Sequence, residues 1–290
     1  MKRTLLVAVV VLLAGTAWAG NVTVSFLDVG QGDSILIRSP EGKVALVDAG
    51  PSKDTLDILK DEGVDRIDVV IVSHHHADHI GGMAAVIKKY KPKVYADSSS
   101  SHTSGVYKKL LAAVDQAGCQ LVQPKKDSER KIELGSVLLR LFPQPPEDEN
   151  ENNNSVGVRL ECKDFSVLLT GDSEEIERAW WLKNADGTLY HHVAVMKAAH
   201  HGSRNGMNAA WLEATKPAMV VISCGKDNKY GHPHEATLRL LERLKVPMKR
   251  TDVDGTITIE SDGKTWKVKD QQKKDDRTSL LWRSPCQLAA

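Results

Sequence analysis

The sequence predicts an α/β protein built as a two-sheet sandwich flanked by helices. Runs of short apolar strands precede helical stretches in both halves of the chain, an order that suits two packed sheets better than one parallel sheet. No repeat at a fixed short period interrupts that pattern, and 290 residues suffice for a sizeable core in one large domain or two modest ones.

Taken in order, Val22 to Leu27 alternates toward a core and ends in the loop Asp28-Val29-Gly30-Gln31-Gly32-Asp33-Ser34, whose glycines mark a tight turn. Strands follow over Ile35 to Arg38 and, after Pro40-Glu41-Gly42, over Val44 to Val47, which ends at Asp48-Ala49-Gly50. Leu56, Ile58 and Leu59 set a helical spacing within Lys53 to Glu62, stopped by Gly63. Val69 to Val72 is wholly apolar, as in a strand covered on both faces, and runs into Ser73-His74-His75-His76-Ala77-Asp78-His79. Met83 to Tyr90 reads as a helix begun after Gly81-Gly82 and closed by Pro92. A strand over Val94 to Ala96, a Ser-rich loop carrying His102, a helix over Val106 to Ala117, a strand over Cys119 to Val122 and a hairpin over Ile132 to Phe142 come next.

Gln144 to Asn154 is Pro-rich, then acidic, then Asn-rich, which reads as a solvated loop. Val156 to Leu160 and Phe165 to Leu169 form a hairpin ending at Thr170-Gly171-Asp172, and Ser173 is expected to cap a helix through Leu182. Val193 to Ala199 is a strand leading into His200-His201-Gly202-Ser203. A helix over Asn208 to Ala214, a strand over Met219 to Ser223, the loop to Tyr230-Gly231-His232-Pro233-His234 and a helix over Glu235 to Leu244 follow. Thr256 to Glu260 and Thr265 to Lys269 close the regular part as a hairpin around Asp262-Gly263.

The basic start Met1-Lys2-Arg3, the apolar run Leu5 to Leu13 and Ala17-Trp18-Ala19 read as a signal peptide over residues 1–19. The apolar run is too short for a comfortable span, so the expectation is a secreted or periplasmic protein without stable membrane association. Residues 20–269 then form the domain, and residues 270–290 a disordered tail. Lys and Arg number 39 against 38 Asp and Glu, and loss of Lys2 and Arg3 leaves 37 basic residues. Such a balance lacks the basic stripe of a high-affinity nucleic-acid binder, although an enzyme that touches DNA transiently needs less. Cys119, Cys162, Cys224 and Cys286 show no C-x-x-C pairing, and a free core cysteine is the better reading of Cys162 and Cys224.

Chemistry concentrates at the end of the Val69 to Val72 run. His74, His76 and Asp78 recur every second residue, so in an extended segment they point to one side and His79 to another, a geometry that suits two metal ions. Imidazole and carboxylate without thiolate are ligands for divalent Zn or Mn and argue against a closed structural zinc site.

His74-x-His76-x-Asp78-His79 resembles the H-x-H-x-D-H signature of the metallo-β-lactamase superfamily. Phe26 to Asp33, Leu168 to Asp172, Lys197 with His200 to Ser203, and Tyr230 to His234 resemble, in order, the lactamase-like domain of ComEC-type DNA-uptake proteins. The superfamily resemblance implies a four-layer αββα sandwich of mixed sheets, with a hydrolytic site for two divalent ions between them. It implies that His74 and His76 hold the first ion, that Asp78 and His79 hold the second, and that Asp172 bridges ions ~4 Å apart. By analogy with phosphodiesterase members, His232 or His234 closes the second site while His200 and His201 contact the phosphate or protonate the leaving group. By analogy with thioesterase members, the His200-His201 pair itself supplies the last ligand. Many members also place a His shortly before the bridging Asp. Here no His lies between His102 and His191, and Asn154 or Ser155 stands near that place, leaving the first ion either weaker or completed by water.

Together with the leader, the resemblance implies an exported phosphodiesterase or nuclease in which a metal-bound hydroxide, formed as the pKa of water falls from about 15.7 to about 7, attacks phosphorus. Asp78, His200, His201 and His234 are the expected catalytic groups, and Lys197, Ser203, Asp33 and Asn154 the candidate substrate contacts. The expected partner is a phosphodiester, with DNA the first to try. The rival expectations are a phosphorylcholine esterase, a β-lactamase, which the absent His disfavours, and a non-catalytic DNA-presenting module.

Overall fold

The computed structural model describes residues 20–98 and 100–269. The expected leader, the expected tail and Cys286 lie outside the described residues.

Side-chain alternation builds the first sheet. Its strands are β1 (Val22–Phe26), β2 (Ile35–Arg38), β3 (Val44–Val47), β4 (Val69–Ile71), β5 (Val94–Ala96) and β6 (Gln120–Val122). Val24, Phe26, Ile35, Ile37, Ala45, Val47 and Ile71 enter one apolar layer, while Leu36, Leu46 and Val70 enter another. Strands β1 to β3 pair antiparallel. From β3 to β6 the pairing is parallel, as it must be once helices intervene. Those helices are α1 (Thr55–Asp61), the one-turn α2 (Ala77–Ile80), α3 (Met83–Tyr90) and α4 (Gly105–Ala117).

The second sheet repeats the plan. Strands β7 (Arg130–Leu134), β8 (Val137–Leu141), β9 (Val158–Cys162) and β10 (Phe165–Leu169) pair antiparallel. From β10, strands β11 (Val195–Lys197), β12 (Met219–Ile222) and β13 (Met248–Arg250) continue in parallel. Helices α5 (Glu175–Asn184), α6 (Ala209–Thr215) and α7 (Glu235–Arg243) cover this sheet. The chain then returns to the first sheet, where β14 (Ile257–Ser261) pairs with β1 and β15 (Trp266–Lys269) with β14.

Three apolar layers result. The central one joins residues of both sheets, among them Phe26, Ile37, Leu139, Leu160, Val167 and Val221. One outer layer seats α1, α3 and α4 through Leu59, Met83, Val86 and Leu110, and the other seats α5 to α7 through Trp181, Trp211, Leu212 and Leu241. This is the αββα sandwich expected from the sequence. Among the described residues no helix is long and apolar enough to cross a membrane. Cys119, Cys162 and Cys224 are free, the last two buried.

Several local expectations are corrected. The histidine segment does not stay extended: His76 precedes α2, whose side chains step by about 100° per residue, so Asp78 and His79 turn into one site. Ser173 does not cap α5, because Glu174 occupies the cap position in extended geometry and the Ser173 hydroxyl is buried without a hydrogen-bond partner. The Gln144 to Asn154 stretch is not wholly solvated. A 3₁₀ turn over Glu151–Asn154 buries Asn152, Asn153 and Asn154; the Asn153 and Asn154 amides donate to Asp148 within the loop, and the Asn152 amide donates to Glu174. Strand β13 was not expected, since Met248-Lys249-Arg250 is short and largely polar.

Candidate metal centre

The carboxyl ends of β3, β4, β10 and β11 meet at one edge of the sandwich, the place where strand ends of layered α/β folds present ligands. Asp48 and the Ser73 to His79 segment come from the first sheet, and Asp172 and His201 from the second. Ligand atoms of Asp78, His79, Asp172 and His201 all lie within 4.8 Å of one another. His79 Nε2 is 3.3 Å from Asp172 Oδ1, and His201 Nε2 is 3.2 Å from Asp172 Oδ2 and 3.3 Å from Asp78 Oδ2.

His201 faces inward because two consecutive residues, His200 and His201, take left-handed backbone angles (φ 50° and 52°). That conformation is uncommon outside glycine, and runs of it concentrate at functional sites.

The other ring nitrogens are already committed. His79 Nδ1 lies 2.8 Å from Asp48 Oδ2, and Asp48 is itself held by the Ser73 amide at 2.8 Å and hydroxyl at 2.6 Å. His201 Nδ1 lies 3.0 Å from the Ser223 carbonyl oxygen. Both inner nitrogens, His79 Nε2 and His201 Nε2, and Asp172 Oδ1 are buried without a hydrogen-bond partner. Convergent, unpartnered imidazole nitrogens beside two carboxylates, each His oriented from behind, fit a divalent cation.

Electrostatics agree. Burial opposes the Asp172 anion, yet the His201 and His79 imidazoles outweigh it and hold the carboxyl well below its usual range. Burial likewise lowers His201, but Asp172 and Asp33 raise it well above an ordinary histidine. Protons on His79 and His201 thus supply the positive charge that a bound cation would replace, releasing them.

His74 and His76 stand beside this group. Their Nε2 and Nδ1 atoms are 3.0 Å apart, and the His74 ring centroid is 4.1 Å from that of His79. Burial, then His79, push the His74 pKa well below its usual value, so it is neutral, as a ligand must be.

A second acidic group, Asp33, Asp48 and His79, lies behind the first. Its cation is already present: Lys197 Nζ is 2.5 Å from Asp33 Oδ2 and 3.0 Å from the Gly171 carbonyl oxygen.

A cavity of about 510 Å³ opens over the site, lined by His76, Asp78, Asp172, His200, His201 and His232 among others. His200 Nδ1 lies 3.2 Å from Glu174 Oε1, and its Nε2 is 3.9 Å from Asp172 Oδ2.

The family model of the metallo-beta-lactamase superfamily matches residues 27–225. The chain belongs to that superfamily. It is 29% identical over 255 residues to ComE operon protein 3 of Bacillus subtilis (strain 168), an alignment covering 81% of this chain and 32% of that protein. To competence protein ComA of Neisseria gonorrhoeae it is 28% identical over 248 residues, covering 82% of this chain and 32% of the relative. The chain thus spans about a third of the length of these relatives. The solved structure of YhfI from Bacillus subtilis, a metallo-beta-lactamase fold protein, superposes with a TM-score of 0.55 at 12% identity, covering 83% of this chain and 100% of that one. That likeness shows the fold.

Of the two alternatives for the last ligand of this metallo-β-lactamase domain, it is the His200-His201 pair that reaches the group: His201 joins Asp78, His79 and Asp172, carried there by the left-handed turn. His232 stands in the wall, its ring centroid 6.0 Å from that of His201. His234 precedes α7, and its Nδ1 accepts the Arg204 amide at 3.0 Å. The four substrate candidates are buried away from the cavity lining. Asp33 and Lys197 pair beneath the site, the Ser203 hydroxyl faces the Asn205 amide, and Asn154 spends its amide on Asp148 and Glu151. Ser155 Oγ instead accepts the Asp172 amide at 3.2 Å.

His75, lying between the ligands in sequence, turns the other way. It is buried 2.7 Å from Asp97 and 2.8 Å from Glu151, which overcome burial and push it up to about 9. Its role here is to pin the Glu151–Asn154 turn against the end of β4.

Sequence reasoning missed Asp48, although the same signal that marks Asp172, a carboxylate just past an apolar strand, was present in Val47-Asp48. Asp48→Asn is expected to weaken zinc binding about 10- to 100-fold by freeing His79 to rotate. A zinc titration returning an unchanged affinity would show that His79 needs no such support.

Proposed function

We propose that this chain is an exported metal-dependent phosphodiesterase that acts on nucleic acid. The observation that carries the reading is the four-residue group at the floor of an open cavity whose wall holds His200 and His232 and whose lining includes Lys229. Asp78, His79, Asp172 and His201 would hold one ion and His74 with His76 a second, Asp172 serving both. Divalent ions there supply a nucleophile at neutral pH and offset negative charge on a phosphate.

The chain's own groups then have separate tasks. Asp48 and the Ser223 carbonyl oxygen keep the two ligand imidazoles aimed at the floor. His200, whose Nδ1 lies 3.2 Å from Glu174, and His232 are the groups in the wall that would hold or move a proton at the departing oxygen. Relatives named for the ComE operon and for competence support DNA as the first substrate to test.

Loaded with Zn²⁺ or Mn²⁺, the protein is expected to hydrolyse bis-p-nitrophenyl phosphate and linear DNA and to spare a β-lactam, with Asp78→Ala inactive. Turnover of the β-lactam without phosphodiester cleavage would overturn the reading. Equal activity in Asp78→Ala would assign the turnover to a contaminant.

A further inference from the structure

The loop between β12 and α7 carries a feature that hydrolysis itself does not use. Tyr230 is 52% exposed, a high value for a tyrosine that also lines the cavity over the candidate metal centre. Its ring stacks on His232, with centroids 5.6 Å apart and planes 21° from parallel. Lys229 Nζ lies 5.0 Å from the Tyr230 ring centroid and lines the same cavity.

The backbone that carries the ring is held by the Asn228 side chain. The Asn228 side chain donates to the Gly225 carbonyl oxygen at 2.9 Å and to the His232 carbonyl oxygen at 2.5 Å. Its Oδ1 accepts the Tyr230 amide at 3.2 Å and the His232 amide at 3.0 Å. The loop is anchored in turn to the first half of the chain, where Gln31 Oε1 accepts the Gly225 amide at 3.2 Å. A Cβ at Gly225 would stand 2.6 Å from the Gln31 nitrogen, so only glycine permits this approach. An aromatic ring on a fixed loop, backed by His232 and with the flexible Lys229 side chain over it, gives up little backbone freedom on binding.

We infer that Tyr230 is a stacking platform for a nucleobase next to the scissile phosphate, and that the site takes single-stranded in preference to duplex nucleic acid. The inference rests on the phosphodiesterase reading above. An aromatic ring binds any base through its face, which a single strand offers and a duplex hides within its own stack. Lys229 supplies the accompanying charge for a neighbouring phosphate of the same strand.

The test separates binding from turnover. Fluorescence anisotropy on the zinc-loaded protein would compare a labelled oligothymidylate, the same backbone built from base-free tetrahydrofuran units, and a duplex. Tyr230→Ala is expected to weaken oligothymidylate binding by about 5- to 150-fold, the worth of one base–aromatic stack. The loss on the base-free strand should be clearly smaller, Tyr230→Phe should restore binding, and the duplex should bind more weakly than the single strand. Equal losses on the based and base-free strands, or tighter binding of the duplex, would overturn the inference, as would failure of the unaltered protein to bind oligothymidylate. Cleavage of bis-p-nitrophenyl phosphate, measured on the same preparation, reports separately on the phosphodiesterase reading, so a failure of either is recognised by itself.

Discussion

Asp172→Asn is expected to lose metal binding and hydrolysis together. The side chain is almost wholly buried, and its two oxygens face different partners: Oδ1 lies 3.3 Å from His79, and Oδ2 lies 3.2 Å from His201. A carboxylate in that position faces imidazoles from both sheets, and an amide of the same shape removes its charge. In the unaltered protein, Zn²⁺ at 100 times its dissociation constant should add about 2.7 kcal/mol of stability, and the variant should show little of this gain. Loss of a divalent ion that would supply several kcal/mol of charge stabilisation should lower the proposed phosphodiester turnover on the order of 10³-fold or more. Melting curves with and without zinc provide the check. A zinc-induced rise in the variant as large as in the unaltered protein would remove Asp172 from the ligand set.

Lys197→Met is expected to destabilise the fold by about 3–5 kcal/mol, since it leaves Asp33 as a buried charge without its cation. Lys197 is 1% exposed and Asp33 is fully buried. Burial works against the Asp33 anion, but Lys197 and His201 hold its carboxyl below the ordinary value. That contribution is therefore complete above the ordinary carboxylate range and is lost as pH falls through the lower folded value. Burial similarly works against the Lys197 cation, and Asp33 and Asp172 raise it, so its contribution is complete below an ordinary lysine pKa and is lost only as pH rises through the higher folded value. At neutral pH both are in force. Urea unfolding of the two single variants and of Asp33→Asn with Lys197→Met provides the check, with the double variant expected to lose less than the sum of the singles. A cost for Lys197→Met within about 1 kcal/mol, the range of exposed pairs, would show that the pair does not carry a buried charge.

Much of the fold was legible because its signals are local. Alternation in Val22 to Phe26 and Ile35 to Arg38, turn residues at Pro40-Glu41-Gly42 and Asp262-Gly263, and the apolar run before His74 each act over a few residues. Where the reading failed, something distant had intervened. The Asn152 to Asn154 amides look solvated in sequence, yet they are buried because the Glu151 carboxylate reaches the amide of His75. Ser173 has the chemistry of a cap, but Asn153 Oδ1 reaches the Glu174 amide at 3.2 Å and Glu174 takes the cap position.

The candidate site divides in the same way. Residue types and spacing along the chain were sufficient for the superfamily, for most of the strands and helices, and for naming Asp78, His79 and Asp172, which the fold brings together in one candidate metal group. Spacing cannot specify which histidine of the second half meets Asp172, because His201 and His232 are both compatible with it. That choice follows from the left-handed turn at His200 and His201, which is a property of how β11 ends against β12. Likewise, Lys197 and Asp33 have the chemistry of substrate contacts, and only their burial against each other assigns them to the support beneath the site. Ligand chemistry belongs to single residues and survives in one dimension, whereas direction, burial and pairing exist only after the two sheets have packed.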